Sequence, residues 1–158
     1  MINIAFFNRM NNKKGYIDFI IKQLKNLLVE LEQEINSIDA EIGNETKSSA
    51  GDKFETSREM MSQARKRLEE RANALGNQIR NLKSIEVNKN SSKVDHGSLI
   101  KTDKGCFFFG ISLEKLEFQG NTIFNLSLAS PLGQHFVAKG INDQVSFRNS
   151  VYTILEIK

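Results

Sequence analysis

One cysteine, one proline, two histidines and no tryptophan stand among the 158 residues. Each scarcity excludes something. Cys106 alone cannot form an intrachain disulfide, and Phe107, Phe108 and Phe109 beside it suggest a buried, inert thiol, so the expected compartment is reducing. His96 and His135 have no second cysteine and no histidine at ligand spacing, which argues against a zinc site. No stretch approaches the ~20 apolar residues that span a bilayer. Residues 1–7 are partly apolar, yet Asn3, Asn8 and Asn11 interrupt them and no small-residue cleavage site follows, so no signal peptide is expected and the protein reads as cytoplasmic. Phosphate-binding loop, dinucleotide fingerprint and nucleophile triad are all missing, and the sequence holds no self-contained active site.

What is present is the composition of a folded protein, 39% hydrophobic and 26% charged. The net charge of +3 is spread evenly: residues 13–92 hold 14 basic against 13 acidic side chains, and residues 93–158 hold 7 against 6. Autonomous duplex binding needs several unopposed cations. Only Arg65, Lys66, Arg67 and Arg71 form a local run, and such a run is ordinarily a solvated helix face.

From Ile17 the apolar residues recur at Ile21, Leu24, Leu28, Leu31, Ile35, Ile38 and Ile42 in alternating steps of four and three, the seam of a coiled coil. Gly43, Asn44 and the segment from Thr46 to Gly51 carry turn and cap residues and close this helix. A second periodic stretch runs through Met61, Ala64, Leu68, Ala72, Leu75, Ile79 and Leu82 to a polar segment at Asn88–Ser92. Two helices of similar length on a short loop must be antiparallel if they pair. At ~1.5 Å per residue, the stretch from Ile17 to Ile42 makes a rod of roughly 40 Å.

The period then shortens to strand-like runs at Ser98–Lys101, Cys106–Leu113, Leu116–Phe118, Thr122–Leu128, Gln144–Phe147 and Val151–Ile157. One helix is expected over Ser130–Gly140, with Ser130 as N-cap, Pro131 at the first position and Gly140 closing it. The organisation predicted is an N-terminal extension (1–13), a coiled-coil hairpin (14–88) with its tip near 43–55, a linker (89–93) that permits rotation, and a small β-rich domain (94–158). The fold class is α+β.

Ser130-Pro131-Leu132-Gly133-Gln134, then Lys139-Gly140, the Asn142-Asp143 turn and the terminal run Tyr152–Ile157, resemble the closing helix and strands of the FKBP-like domain of the bacterial Gre transcript-cleavage factors. The segment Gly51-Asp52-Lys53-Phe54-Glu55 is similar to that family's Gly-Asp-x-x-Glu. After Glu55 the family usually continues Asn-Ala-Glu-Tyr, where this chain has Thr56-Ser57-Arg58-Glu59. The resemblance implies a cytoplasmic transcription elongation factor, expected to be monomeric, that binds RNA polymerase at its secondary channel. The hairpin would carry Asp52 and Glu55 to the polymerase active site and the 3′ end of backtracked nascent RNA. There the two acids would help hold Mg²⁺ shared with the polymerase, which performs the hydrolysis, so the protein is an accessory factor and no enzyme by itself. The docking surface is expected on the C-terminal domain near the Ser130–Gly140 helix, at Ser130, Pro131, Leu132 and Gly133.

The residues alone leave other readings open. Asp52 and Glu55 also have the spacing of a capping box, Phe54 that of a local staple, and Lys53 and Arg58 either meet RNA phosphate or balance charge. A Gre-like protein could occupy the channel without promoting cleavage. A coiled-coil adaptor with an FKBP-like domain that binds protein, or isomerises prolyl bonds, is the third reading; an isomerase pocket would be lined by aromatics, whereas strand phenylalanines suit an ordinary core.

Overall fold

The computed structural model describes residues 12–45, 52–89 and 91–158; the side chains of Glu45, Asp52, Lys53 and Phe54 are outside that description, as are the N-terminal extension before Asn12 and the hairpin tip over 46–51. Helix α1 (Lys13–Glu45) starts where Asn12 turns its side chain back: its Oδ1 accepts from the Gly15 amide at 2.7 Å and its carbonyl from the Tyr16 amide at 2.9 Å. Helix α2 (Asp52–Lys83) runs without proline for 32 residues.

The chain divides into two compact units, one of Ile20–Arg80 and one of the residues up to Phe19 together with Asn81–Lys158. In the first unit the seam residues Leu24 and Leu31 are buried and Ile21, Leu28, Ile35, Ile38 and Ile42 half-buried, while nearly every position between them is exposed. On α2, Leu75 and Ile79 are buried and Met61, Ala64, Leu68 and Ala72 half-buried. The two stripes are amphipathic in the sense a pair of helices requires. Arg65 Nε reaches Asp39 Oδ1 across the pair at 2.6 Å, and the connection between the helices is far too short to return to the start of α1, so they run antiparallel.

The other unit holds a six-stranded sheet: β1 (Leu99–Thr102), β2 (Gly105–Phe108), β3 (Leu113–Phe118), β4 (Asn121–Asn125), β5 (Gln144–Phe147) and β6 (Ser150–Ile157), in the order β3-β4-β2-β1-β6-β5. All neighbours are antiparallel except β2 and β4, because β4 inserts between its two predecessors. The expected single run Cys106–Leu113 therefore breaks. Gly110 lies where an added Cβ would stand 2.5 Å from the Phe108 ring, and the chain leaves the sheet there to reach the far edge.

Alternation along these strands sends side chains to two covered faces. Ile100 and Phe107 are register partners on one face, where they join Val94, Phe109, Phe136, Val145 and Ile154 in a closed core. Helix α3 (Pro131–Phe136) supplies Phe136 to it. Leu99, Phe108 and Asn125 share the other face, against which Tyr16 packs: its ring meets Phe108 edge-on at 5.4 Å and Phe118 at 5.3 Å. Phe19 lies 5.4 Å from Phe118.

α3 is shorter than the sequence suggests, and Gly140 does not close it. The chain turns out at Val137, Ala138 adopts φ 60°, and the Ala138 amide donates to the Val94 carbonyl at 3.0 Å while the Val94 amide donates to Lys139 at 2.8 Å. Pairing with Val94 outcompetes another helical turn, a tertiary contact invisible to local pattern. Between α2 and β1 the chain is also held: Ile85 is buried against Gly97, whose φ of 85° and lack of a Cβ both matter since a Cβ would fall 2.4 Å from Ile85. Lys89 Nζ pairs with Asp95 Oδ2 at 2.6 Å.

Candidate functional site

Asp52 is the first residue of α2 and Glu55 lies one turn on, so the two positions fall on one side of the opening turn. Glu55 is exposed. Whether Asp52 caps the helix, and where Phe54 packs, concern side chains outside the description. Glu59, one turn further, is exposed and accepts from Gln63 Nε2 at 2.9 Å. Among the described residues no three His, Cys, Asp or Glu side chains converge as a metal site would need. Two carboxylates are what this turn offers a hard cation, which takes about six oxygen ligands.

Farther along α2, Arg65 is engaged by Asp39 at 2.6 Å and by Glu69 at 2.9 Å, and these contacts raise its pKa. Lys66, Arg67 and Arg71 are exposed. Part of the basic run is thus matched by acid on the hairpin itself.

Ser130, Pro131, Leu132 and Gly133 come together as a helix start. Ser130 Oγ accepts from the Gly133 amide at 3.1 Å and donates to the Ser127 carbonyl at 2.7 Å. Pro131 occupies the first turn, where no amide is needed. Leu132 packs on the core, and Gly133 is buried where a Cβ would stand 2.1 Å from the Ser127 carbonyl oxygen. Of the four, Pro131 alone is exposed. Val137 and Ile141, which follow α3, are apolar and about half exposed.

The aromatic residues fill the interior. Phe136 meets Phe107 at 5.6 Å and Phe109 at 5.4 Å between ring centroids, both tilted, and Tyr152 stands edge-on to Phe107 at 5.7 Å. Cys106 is buried, and desolvation raises its thiol pKa, opposed in part by Lys101. Such a thiol is a poor nucleophile.

Sequence reasoning passed over a cluster at the start of α1. Lys13 is only 8% exposed and lines a cleft of about 600 Å³ with Lys14, Lys89 and Lys158. Burial lowers the Lys13 pKa, against the attraction of Asp95. The signal that could have found it is a helix whose first turn holds two lysines and no acid, contrary to the helix dipole.

No family model matches the chain, and no curated protein matches it. Among solved structures the chain is similar to the GreA factor homolog 1 (Gfh1) protein of Thermus thermophilus, at 14% identity and a TM-score of 0.32, over 87% of this chain and 94% of that one. No helix among the described residues is long and apolar enough to cross a membrane.

Proposed function

We propose that this protein is a Gre-type transcription elongation factor that binds RNA polymerase at its secondary channel and stimulates cleavage of backtracked RNA. The observation that carries the reading is the placement of the Gly-Asp-x-x-Glu acids: α2 opens at Asp52 with Glu55 exposed on its first turn, at the end of a helical pair. The residues Ile20–Glu45 of α1 extend about 40 Å at ~1.5 Å per residue. That length is what reaching through a channel would need.

Asp52 and Glu55 would hold Mg²⁺ together with ligands of the polymerase. Bound there, the ion supplies charge stabilisation and water activation for phosphodiester hydrolysis. The chain's own contribution would be delivery, with the two acids carried on the opening turn of α2 at the end of the helical pair. The FKBP-like unit would dock through the surface around Pro131, Val137 and Ile141, where exposed apolar side chains flank α3.

The decisive measurement is RNA cleavage in a stalled, backtracked elongation complex with cognate polymerase and Mg²⁺, comparing the natural chain with Asp52→Ala/Glu55→Ala. Faster cleavage with the natural chain, and none with a folded mutant that still binds, is expected. Polymerase binding without cleavage in either case sinks the catalytic part and leaves a channel-occupying regulator, a role to which the replacement sequence Thr56-Ser57-Arg58-Glu59 would be suited. Absence of polymerase binding overturns the proposal altogether.

A further inference from the structure

Lys13 is a lysine more than nine-tenths buried that makes no hydrogen bond or ion pair with any described residue. Its neighbours are all matched: Lys14 with Asp18 at 3.0 Å, Lys89 with Asp95 at 2.6 Å and Lys158 with Glu156 at 2.7 Å. Asp95, the acid that attracts Lys13, is already engaged by Lys89 and by the Ser98 hydroxyl, which donates to it at 2.8 Å. Residues 1–11 contain no Asp or Glu. A lysine held this far inside the fold, with no described carboxylate bonded to it, is costly unless something anionic meets it.

The surroundings describe that anion. Lys13 and Lys14 open α1, a helix of 33 residues with no acid in its first turn. Asn12 satisfies the amides of Gly15 and Tyr16, while those of Lys13 and Lys14 have no partner among the described residues. Lys13 and Lys89 also line a second, adjacent cleft, so their side chains lie between two solvent-reachable hollows. Unpaired amides at a helix start, the positive end of its dipole and several ammonium groups together suit a phosphate, whose oxygens accept in several directions and whose charge can exceed one. A carboxylate would use fewer of these donors.

We infer that the cleft at the start of α1 is a binding site for a phosphate-bearing small molecule, with Lys13 as its central ligand and Lys14, Lys89 and the first-turn amides completing it. The site belongs to the β-rich unit and stands independently of any action at the hairpin tip. Its volume, about 600 Å³, exceeds what a lone phosphate needs and is within the range of small-molecule pockets.

Titration calorimetry on the full chain at low salt, with sodium pyrophosphate and separately with ATP in the absence of divalent metal, tests this. Saturable binding is expected, weakened about tenfold or more by Lys13→Gln and severalfold by Lys14→Gln, and unchanged by Lys66→Gln on the exposed face of α2. Equal affinity for the two probes identifies a free phosphate anion as the ligand; tighter ATP binding identifies a phosphorylated molecule that fills the rest of the cleft. Lys14 is largely exposed, so its variant gives a result even if Lys13→Gln does not fold. Amide shifts on adding pyrophosphate to the natural chain, confined to residues 12–15 and 87–89, provide a reading free of mutation. No saturable binding of either probe, or binding that Lys13→Gln and Lys14→Gln leave intact, overturns the inference.

Discussion

The Tyr16 hydroxyl donates to Asn125 Oδ1 at 2.7 Å across 109 residues of sequence, both side chains buried. Asn125 is held in place from its other end, its Nδ2 donating to the Glu114 carbonyl at 2.9 Å. The bond fastens the first turns of α1 to β4 and leaves neither polar group stranded. Tyr16→Phe keeps the ring contacts but strands the Asn125 oxygen, and should lower unfolding free energy by about 1–3 kcal/mol in denaturant titration.

The same residue sets an alkaline limit. Burial pushes the Tyr16 pKa up to about 12. Between pH 10 and 12 the folded state keeps a proton that the unfolded chain releases, so stability is fully present below pH 10 and is lost as pH rises through about 12. Melting temperatures should fall more steeply across this window in the natural chain than in Tyr16→Phe. Parallel curves would refute it.

Lys13→Met should raise the melting temperature at pH 7 by about 2–4 °C in phosphate-free buffer. Burial lowers its pKa, so the charged form is disfavoured in the fold, with Asp95 attracting and Lys89 repelling it. The cost is therefore full below that pKa and fades as pH climbs toward 10.5, so the gain from Lys13→Met should shrink over the same range.

Leu31 is 3% exposed within the helical pair. Leu31→Ala should destabilise the hairpin by about 2–5 kcal/mol, while Glu30→Ala on the exposed face should fall within about 0.5 kcal/mol. Thermal melts followed by helical circular dichroism distinguish the two.

At α3, Ser130→Ala removes the cap and should cost about 1 kcal/mol. Gly133→Ala should cost more, about 1–3 kcal/mol or above, because its methyl group meets the backbone carbonyl of Ser127, which cannot rotate away. Equal effects would mean that the capping bond rather than the packing holds this segment.

Periodicity by itself determined the two helices and their seam, since Leu24, Leu31, Leu75 and Ile79 are buried where steps of three and four put them. It also determined the α+β order, the strand Gln144–Phe147, and Ser130 with Pro131 as a helix start. These are local properties, carried by side-chain spacing and turn chemistry. Tertiary structure decided what spacing cannot encode: that β4 inserts beside β2 in parallel, that Val94 captures Ala138 and Lys139 and cuts α3 short, and that Tyr16 reaches Asn125. Of the candidate residues, Asp52 and Glu55 were picked out in the sequence by the spacing of a short motif, and the structure places both on the opening turn of α2. Lys13 was not, because a lysine in sequence carries no sign of its burial, and only the folded chain brings Lys89 and Lys158 to the cleft that it lines.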